Sequence, residues 1–352
     1  MADLVPRNGE AGPKHSQRRA FPLGWAPRTA GREQHGQPDR RPARGFAPSV
    51  GIRRRTHRPR GRGKSAPGRH RLRAAVGSAS RRRDPARHRG AGGVARRQRI
   101  VDLASTEYGA GAGRPIVIAH GLFGSGRNWA SIAKALGGRF RVFTVDLRNH
   151  GESPWADSSD YLGMAEDLAA FMAPLDRPVV VGHSMGGKVA MVLALTRPAL
   201  VGGLVAVDIA PVAYRHSMIG YARAMRAIDL AAITRRSQVD EALKPQIPDP
   251  RIRLFLMQNL VFEGGSARWR VNLDALIADM DDIMGFPLAE GAYSGPTLVL
   301  AGETSPYVPG SEPAIRRFFP AASIETVPGA GHWAHADRPD WMIERLARFA
   351  GG

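Results

Sequence analysis

Beyond about residue 99, short apolar runs alternate with longer stretches whose apolar positions recur every three or four residues. The runs 116–120, 141–147, 178–183, 204–209, 297–301 and 323–327 are rich in Val, Ile and Leu and predict strands. Residues 100–108 add a strand ahead of them, with the glycines of 109–113 as the turn. The stretches 128–136, 161–175, 185–196, 313–319 and 340–349 predict helices. Strands alternating with crossover helices predict an α/β fold with a mainly parallel sheet covered by helices on both faces. The alternation breaks between about 212 and 292, where helical spacing carries Met218, Met225, Phe255, Met257, Phe262, Trp269, Met280 and Met284. We read this insertion as a helical cap over a site.

Residues 1–98 show no such period, and their apolar residues are scattered. The first hundred residues hold 25 Arg and 2 Lys against 5 acidic groups, with 14 Gly and 10 Pro. A chain of this kind buries too little apolar surface to offset its conformational entropy, so disorder is expected. The whole chain of 352 residues carries a formal charge of +20, yet residues 101–352 hold 24 basic and 26 acidic groups. The basic excess therefore lies in the tail, and the organised region needs no nucleic-acid partner. Three readings of 1–98 stay open: a basic arm for an anionic surface, an organelle transit peptide, or sequence translated ahead of the true start. No Met lies between Met1 and Met164, so a later start would use another codon, near Val94 or Val101. A cytoplasmic location is expected, or a mitochondrial one if the tail is a transit peptide. The chain has no Cys, which excludes a disulfide scaffold, a thiolate metal site and a cysteine nucleophile. No apolar run reaches the ~18 residues of a membrane span.

The sharpest chemical signal is Gly182-His183-Ser184-Met185-Gly186. With 41 Gly and 19 Ser, the pattern G-x-S-x-G arises by chance about 0.25 times in such a chain. Its setting makes it specific, because it joins a predicted strand to a predicted helix. That is the strand–turn–helix context of a nucleophile elbow. So tight a turn needs neighbours almost without side chains, which Gly182, Gly186 and Gly187 supply. Ser184 is thus the expected nucleophile, with the Met185 amide at a helix N-terminus as one oxyanion donor. The segment His120-Gly121-Leu122-Phe123-Gly124 follows another strand and offers the Leu122 amide as the second donor.

His332, between Gly331 and Trp333 after the last predicted strand, is the expected base, with His335 as its nearest competitor. The acid has two candidates. Asp208 ends the strand 24 residues after Ser184, and Glu303 follows the strand 297–301; Asp208 is favoured. Phe123, His183, Trp269, Tyr307 and Trp333 are expected around the substrate.

These segments resemble the α/β-hydrolase superfamily. They are His120-Gly-Leu-Phe-Gly, Asp146-Leu-Arg-Asn-His-Gly-Glu-Ser-Pro154, Gly182-His-Ser-Met-Gly-Gly-Lys188, Asp208-Ile-Ala-Pro211, Ser305-Pro-Tyr-Val308 and Gly329-Ala-Gly-His-Trp-Ala-His335. Within it they are most similar to the small-esterase branch related to abhydrolase domain-containing protein 11, over roughly 99–352. Arg268-Trp269-Arg270-Val271-Asn272 resembles that branch's cap. The resemblance implies a serine esterase acting on small to medium acyl groups, with no cofactor and no metal. It also supports Asp208 as the acid. Acyl thioester hydrolysis on the same triad, or a non-catalytic binding protein of this fold, are the alternatives. An intact Ser–His–Asp set stands against the last.

Overall fold

The computed structural model describes residues 99–352. The basic segment 1–98 lies outside the described residues. The sheet has seven strands. In chain order they are β1 (Ser105–Tyr108), β2 (Gly113–Ala119), β3 (Phe140–Val145), β4 (Val179–His183) and β5 (Gly203–Val207). A short two-stranded ribbon intervenes as β6 (Leu260–Glu263) and β7 (Ser266–Trp269), and β8 (Thr297–Gly302) and β9 (Ala322–Val327) complete the sheet. Its order is β1-β3-β2-β4-β5-β8-β9, and only β1 runs antiparallel to its neighbour.

Alternate residues of each strand serve opposite cores. Val117, Val180, Leu204 and Val299 face one cluster, while Ile116, Val179, Val205 and Leu298 face the other. Both faces are apolar, so the strands read as unbroken Val/Leu/Ile runs. Helices α1 (Ala130–Leu136) and α11 (Pro339–Gly351) cover the second face. Helices α2 (Tyr161–Met172) and α3 (Met185–Thr196) cover the first, and α9 (Glu312–Phe318) packs beside them. Every residue of α3 from Met185 to Ala194 is buried, because it lies between the sheet and α2 and has no solvent face. The short α10 (Ala334–Asp337) sits between β9 and α11.

Between β5 and β8 the chain leaves the sheet and builds α4 (Ile219–Arg226), α5 (Arg236–Leu243), α6 (Pro250–Leu256), α7 (Leu273–Ala278) and α8 (Met280–Met284). The sequence reading made this insertion helical throughout. The structure corrects it with the β6–β7 hairpin, whose register pairs Leu260 with Trp269 and Glu263 with Ser266. The cause is local. Gly264 and Gly265 sit at φ 58° and 84°, the left-handed pair a two-residue hairpin turn requires. Their Gly-Gly signal outweighs the Met and aromatic spacing.

The loop after β3 is anchored by a buried ion pair. Arg148 Nε and Nη2 bind both carboxylate oxygens of Asp167 on α2, at 2.5 and 2.7 Å. Tyr161, which opens α2, donates its hydroxyl to the Ile283 carbonyl of α8 at 2.6 Å and so ties core to cap.

Candidate active site

Ser184 stands at the sharp junction of β4 and α3, with φ 50° and ψ −117°. That conformation is strained for any residue with a Cβ. It survives because the surroundings leave no alternative. A Cβ on Gly186 would lie 2.4 Å from the His120 carbonyl oxygen and 2.6 Å from that of Ala119. The turn therefore packs directly against the end of β2, and Ser184 is lifted onto the wall of a cavity of about 90 Å³.

His332 lies in the loop after β9. Its Nε2 faces Ser184 Oγ at 3.1 Å, and its Nδ1 donates to Asp208 Oδ2 at 2.7 Å. The ring stacks on Tyr307 with centroids 4.1 Å apart. The His332 carbonyl accepts a bond from His183 Nε2 at 2.8 Å, which pins the loop to the elbow. Asp208, fully buried just past β5, also has a left-handed backbone, φ 53°. Its Oδ1 accepts from the Gly302 amide at 2.9 Å and its Oδ2 also accepts from the Ser305 hydroxyl. Three donors thus hold the carboxylate against the imidazole and compensate its burial.

The carboxylates of Glu303, the rival acid, and of Asp146 at the end of β3 are engaged elsewhere. Glu303 is exposed and accepts from the Gly329 amide at 2.7 Å. Asp146 accepts from the Gly126 and Glu152 amides at 2.7 and 2.8 Å. His335, the competing base, stacks on Trp129 at 4.5 Å, and its Nδ1 has no partner among the described residues.

Leu122 and Met185 both line the cavity with Ser184. Met185 is the first residue of α3, so its amide has no acceptor within the helix. In the loop after β2, the Phe123 amide is bound by His150 Nε2 at 3.3 Å and the Gly124 amide by the Gly121 carbonyl at 2.9 Å. Phe123 itself takes φ 60°, a second strained residue that faces the cavity. His120 and His150 brace this loop. His120 Nε2 accepts from the Leu147 amide at 3.0 Å, and His150 Nδ1 donates to the Arg148 carbonyl at 3.0 Å.

Of the residues expected around the substrate, Phe123, His183, Tyr307 and Trp333 line the cavity and Trp269 does not. The hairpin turns its indole into the interior of the cap, where Nε1 donates to the Met225 carbonyl at 3.2 Å. Two residues given no role from sequence stand close to the site. Ser305 bonds Asp208, and Lys188 lines the cavity. Both lie in segments that carried the family resemblance, which was the available signal.

Burial keeps the surrounding imidazoles neutral. Desolvation pulls His150 and His335 down to about 3, and holds His120 and His183 below the ordinary histidine value. The wall is otherwise mostly apolar, with Ile209, Ile252, Phe255 and Leu256 among its members.

Residues 116–345 match the alpha/beta hydrolase family. The sn-1-specific diacylglycerol lipase ABHD11 of Mus musculus is 46% identical over 245 residues, spanning 66% of this chain and 80% of the relative. Esterase YbfF of Escherichia coli (strain K12) is 34% identical over 241 residues, spanning 67% of this chain and 92% of the relative. A solved structure, a marine microorganism esterase, is 36% identical with a TM-score of 0.68, covering 71% of this chain and 99% of its own. Among the described residues no helix is long and apolar enough to cross a membrane. From sheet order to elbow to relatives, this chain belongs to the α/β-hydrolase family, with ABHD11-like small esterases among its relatives.

Proposed function

We propose that this carboxylic ester hydrolase works through a Ser184–His332–Asp208 triad, on esters of small to medium acyl groups. The carrying observation is the unbroken line of hydrogen bonds from Asp208 Oδ2 through both ring nitrogens of His332 to Ser184 Oγ, opening on an apolar cavity. Ser184 Oγ attacks the acyl carbonyl carbon as its proton passes to His332 Nε2. The carbonyl oxygen becomes an oxyanion held by the Leu122 and Met185 amides. One such donor is worth roughly 3 kcal/mol of transition-state stabilisation. Asp208 keeps the Nδ1 proton in place and stabilises the imidazolium. The tetrahedral adduct collapses, Nε2–H protonates the departing alkoxide, and an acyl-Ser184 ester remains. Water then attacks that ester with His332 as base, releasing the carboxylic acid and restoring Ser184.

The mostly apolar wall supports an acyl group of small to medium size. Ester and thioester differ only in the leaving atom, so matched substrates decide the preference between them. We assign catalysis to residues 99–352 and give the basic tail no part in it. The test is hydrolysis of p-nitrophenyl esters from acetate to decanoate, wild type beside Ser184→Ala. Activity peaking at one chain length and abolished in the variant is expected. Hydrolysis persisting in folded Ser184→Ala refutes the nucleophile.

A further inference from the structure

Lys188 lies one helical turn beyond Ser184, on the same face of α3, about 6 Å further along the axis. Its side chain is 1% exposed and lines the cavity. The ammonium donates to the Met284 carbonyl at 3.1 Å and the Gly285 carbonyl at 2.5 Å, where α8 ends. It also stands over the Tyr214 and Tyr161 rings, at 4.7 and 5.7 Å from their centroids. Both hydroxyls are committed elsewhere, to the Tyr307 and Ile283 carbonyls. An ammonium has three N–H donors, and two are used.

Among the described residues no carboxylate accompanies this cation. Their cavity wall contains no Asp, Glu or Arg, and three of its histidines, His120, His183 and His335, are held neutral by burial. Desolvation lowers the Lys188 ammonium to about 7, with no acidic neighbour to oppose it. A buried cation without a counter-ion is costly, and an anion delivered by the substrate removes that cost. The charge balance favours a carboxylate. One ammonium with one free donor matches a single negative charge, whereas a phosphate dianion brings a second charge and further acceptor oxygens that this wall leaves unmatched.

We propose that Lys188 is a specificity residue that binds a carboxylate at the far end of the acyl group, so the preferred substrates are half-esters of dicarboxylic acids. The proposal rests on the Ser184 reading of the site. Ser184 and Lys188 line the same cavity, and the half-ester of adipate, a mid-length diacid, serves as the probe.

The experiment compares kcat/KM for the p-nitrophenyl half-ester of adipic acid with that for the isosteric neutral adipamate ester. Wild type, Lys188→Met, Lys188→Arg and Ser184→Ala full-length proteins are assayed side by side. Wild type is expected to prefer the carboxylate, and Lys188→Met to lower that preference about tenfold or more, the effect of one charge-assisted hydrogen bond. Lys188→Arg is expected to retain part of it. An equal fall on both substrates shows that Lys188 only supports the cap and overturns the proposal. So does wild type that fails to prefer the carboxylate, which decides the matter even if Lys188→Met does not fold. Hydrolysis surviving in Ser184→Ala refutes the triad separately, because that readout is independent of the ratio.

Discussion

Replacing Asp208 by Asn tests how the three-donor carboxylate sets the proton on His332. Oδ1 accepts from the Gly302 amide at 2.9 Å, so that position must remain an oxygen. The new NH2 group then occupies the Oδ2 position, where it meets Ser305 Oγ and His332 Nδ1. An NH2 group donates, so Nδ1 must become the acceptor and the imidazole proton moves to Nε2. At 3.1 Å from Ser184 Oγ, a protonated Nε2 donates to the hydroxyl and no longer accepts its proton. In serine hydrolases this tautomer error lowers kcat by about 10⁴-fold, or about 5.4 kcal/mol of barrier at 1.36 kcal/mol per decade. The assay is kcat and kcat/KM on a p-nitrophenyl ester for wild type, Asp208→Asn and Glu303→Gln, with a urea melt confirming that each is folded. The Glu303 carboxylate is occupied by the Gly329 amide, so its variant is expected to stay close to wild type. Asp208→Asn within about tenfold of wild type, or falling less than Glu303→Gln, would refute the reasoning.

Gly186→Ala puts a Cβ 2.4 Å from a carbonyl oxygen of the β2 end, and backbone cannot yield cheaply there. We expect a loss of about 1–3 kcal/mol in a denaturant melt, and a fall in kcat of about 10²-fold as the elbow shifts. Stability should also fall with acid. His150 and His335 titrate near 3 in the fold, and His120 and His183 lie below 6.5. The unfolded chain takes up those protons near 6.5, so the stability these groups contribute is complete above that pH. It is lost as pH falls toward 3, by up to about 1.4 kcal/mol per pH unit for each histidine. Urea midpoints at pH 7, 6 and 5 measure it, and a flat series would contradict the burial of neutral imidazoles. A fragment beginning near Val94 is expected to match the full chain in kcat/KM on the same ester. A loss beyond assay error would give the basic tail a role in catalysis.

The parallel strands were legible because a sheet covered on both faces forces uninterrupted apolar runs, and local propensity and burial point the same way. The elbow was legible for a steric reason. Only a Gly-flanked serine between strand and helix fits so tight a turn, and Met185–Thr196 follows with the bounds read from sequence. The β6–β7 hairpin was missed because Met and aromatic spacing was weighed over Gly264-Gly265, whose positive φ fixes the turn.

What the chain alone determined is what depends on near neighbours in sequence: strand runs, turn glycines and the strained serine. Only the tertiary structure decided which carboxylate bonds His332. Asp208 and Glu303 both follow sheet strands, and the choice turns on side-chain direction. A left-handed backbone at Asp208 aims its carboxylate at His332 Nδ1, while Glu303 turns to the Gly329 amide. The same holds for Ser305, 97 residues from Asp208, and for Lys188, 96 residues from the carbonyl of Met284. The environment of a buried polar group is set by whatever else is folded around it, and no local pattern in the chain records those distant partners.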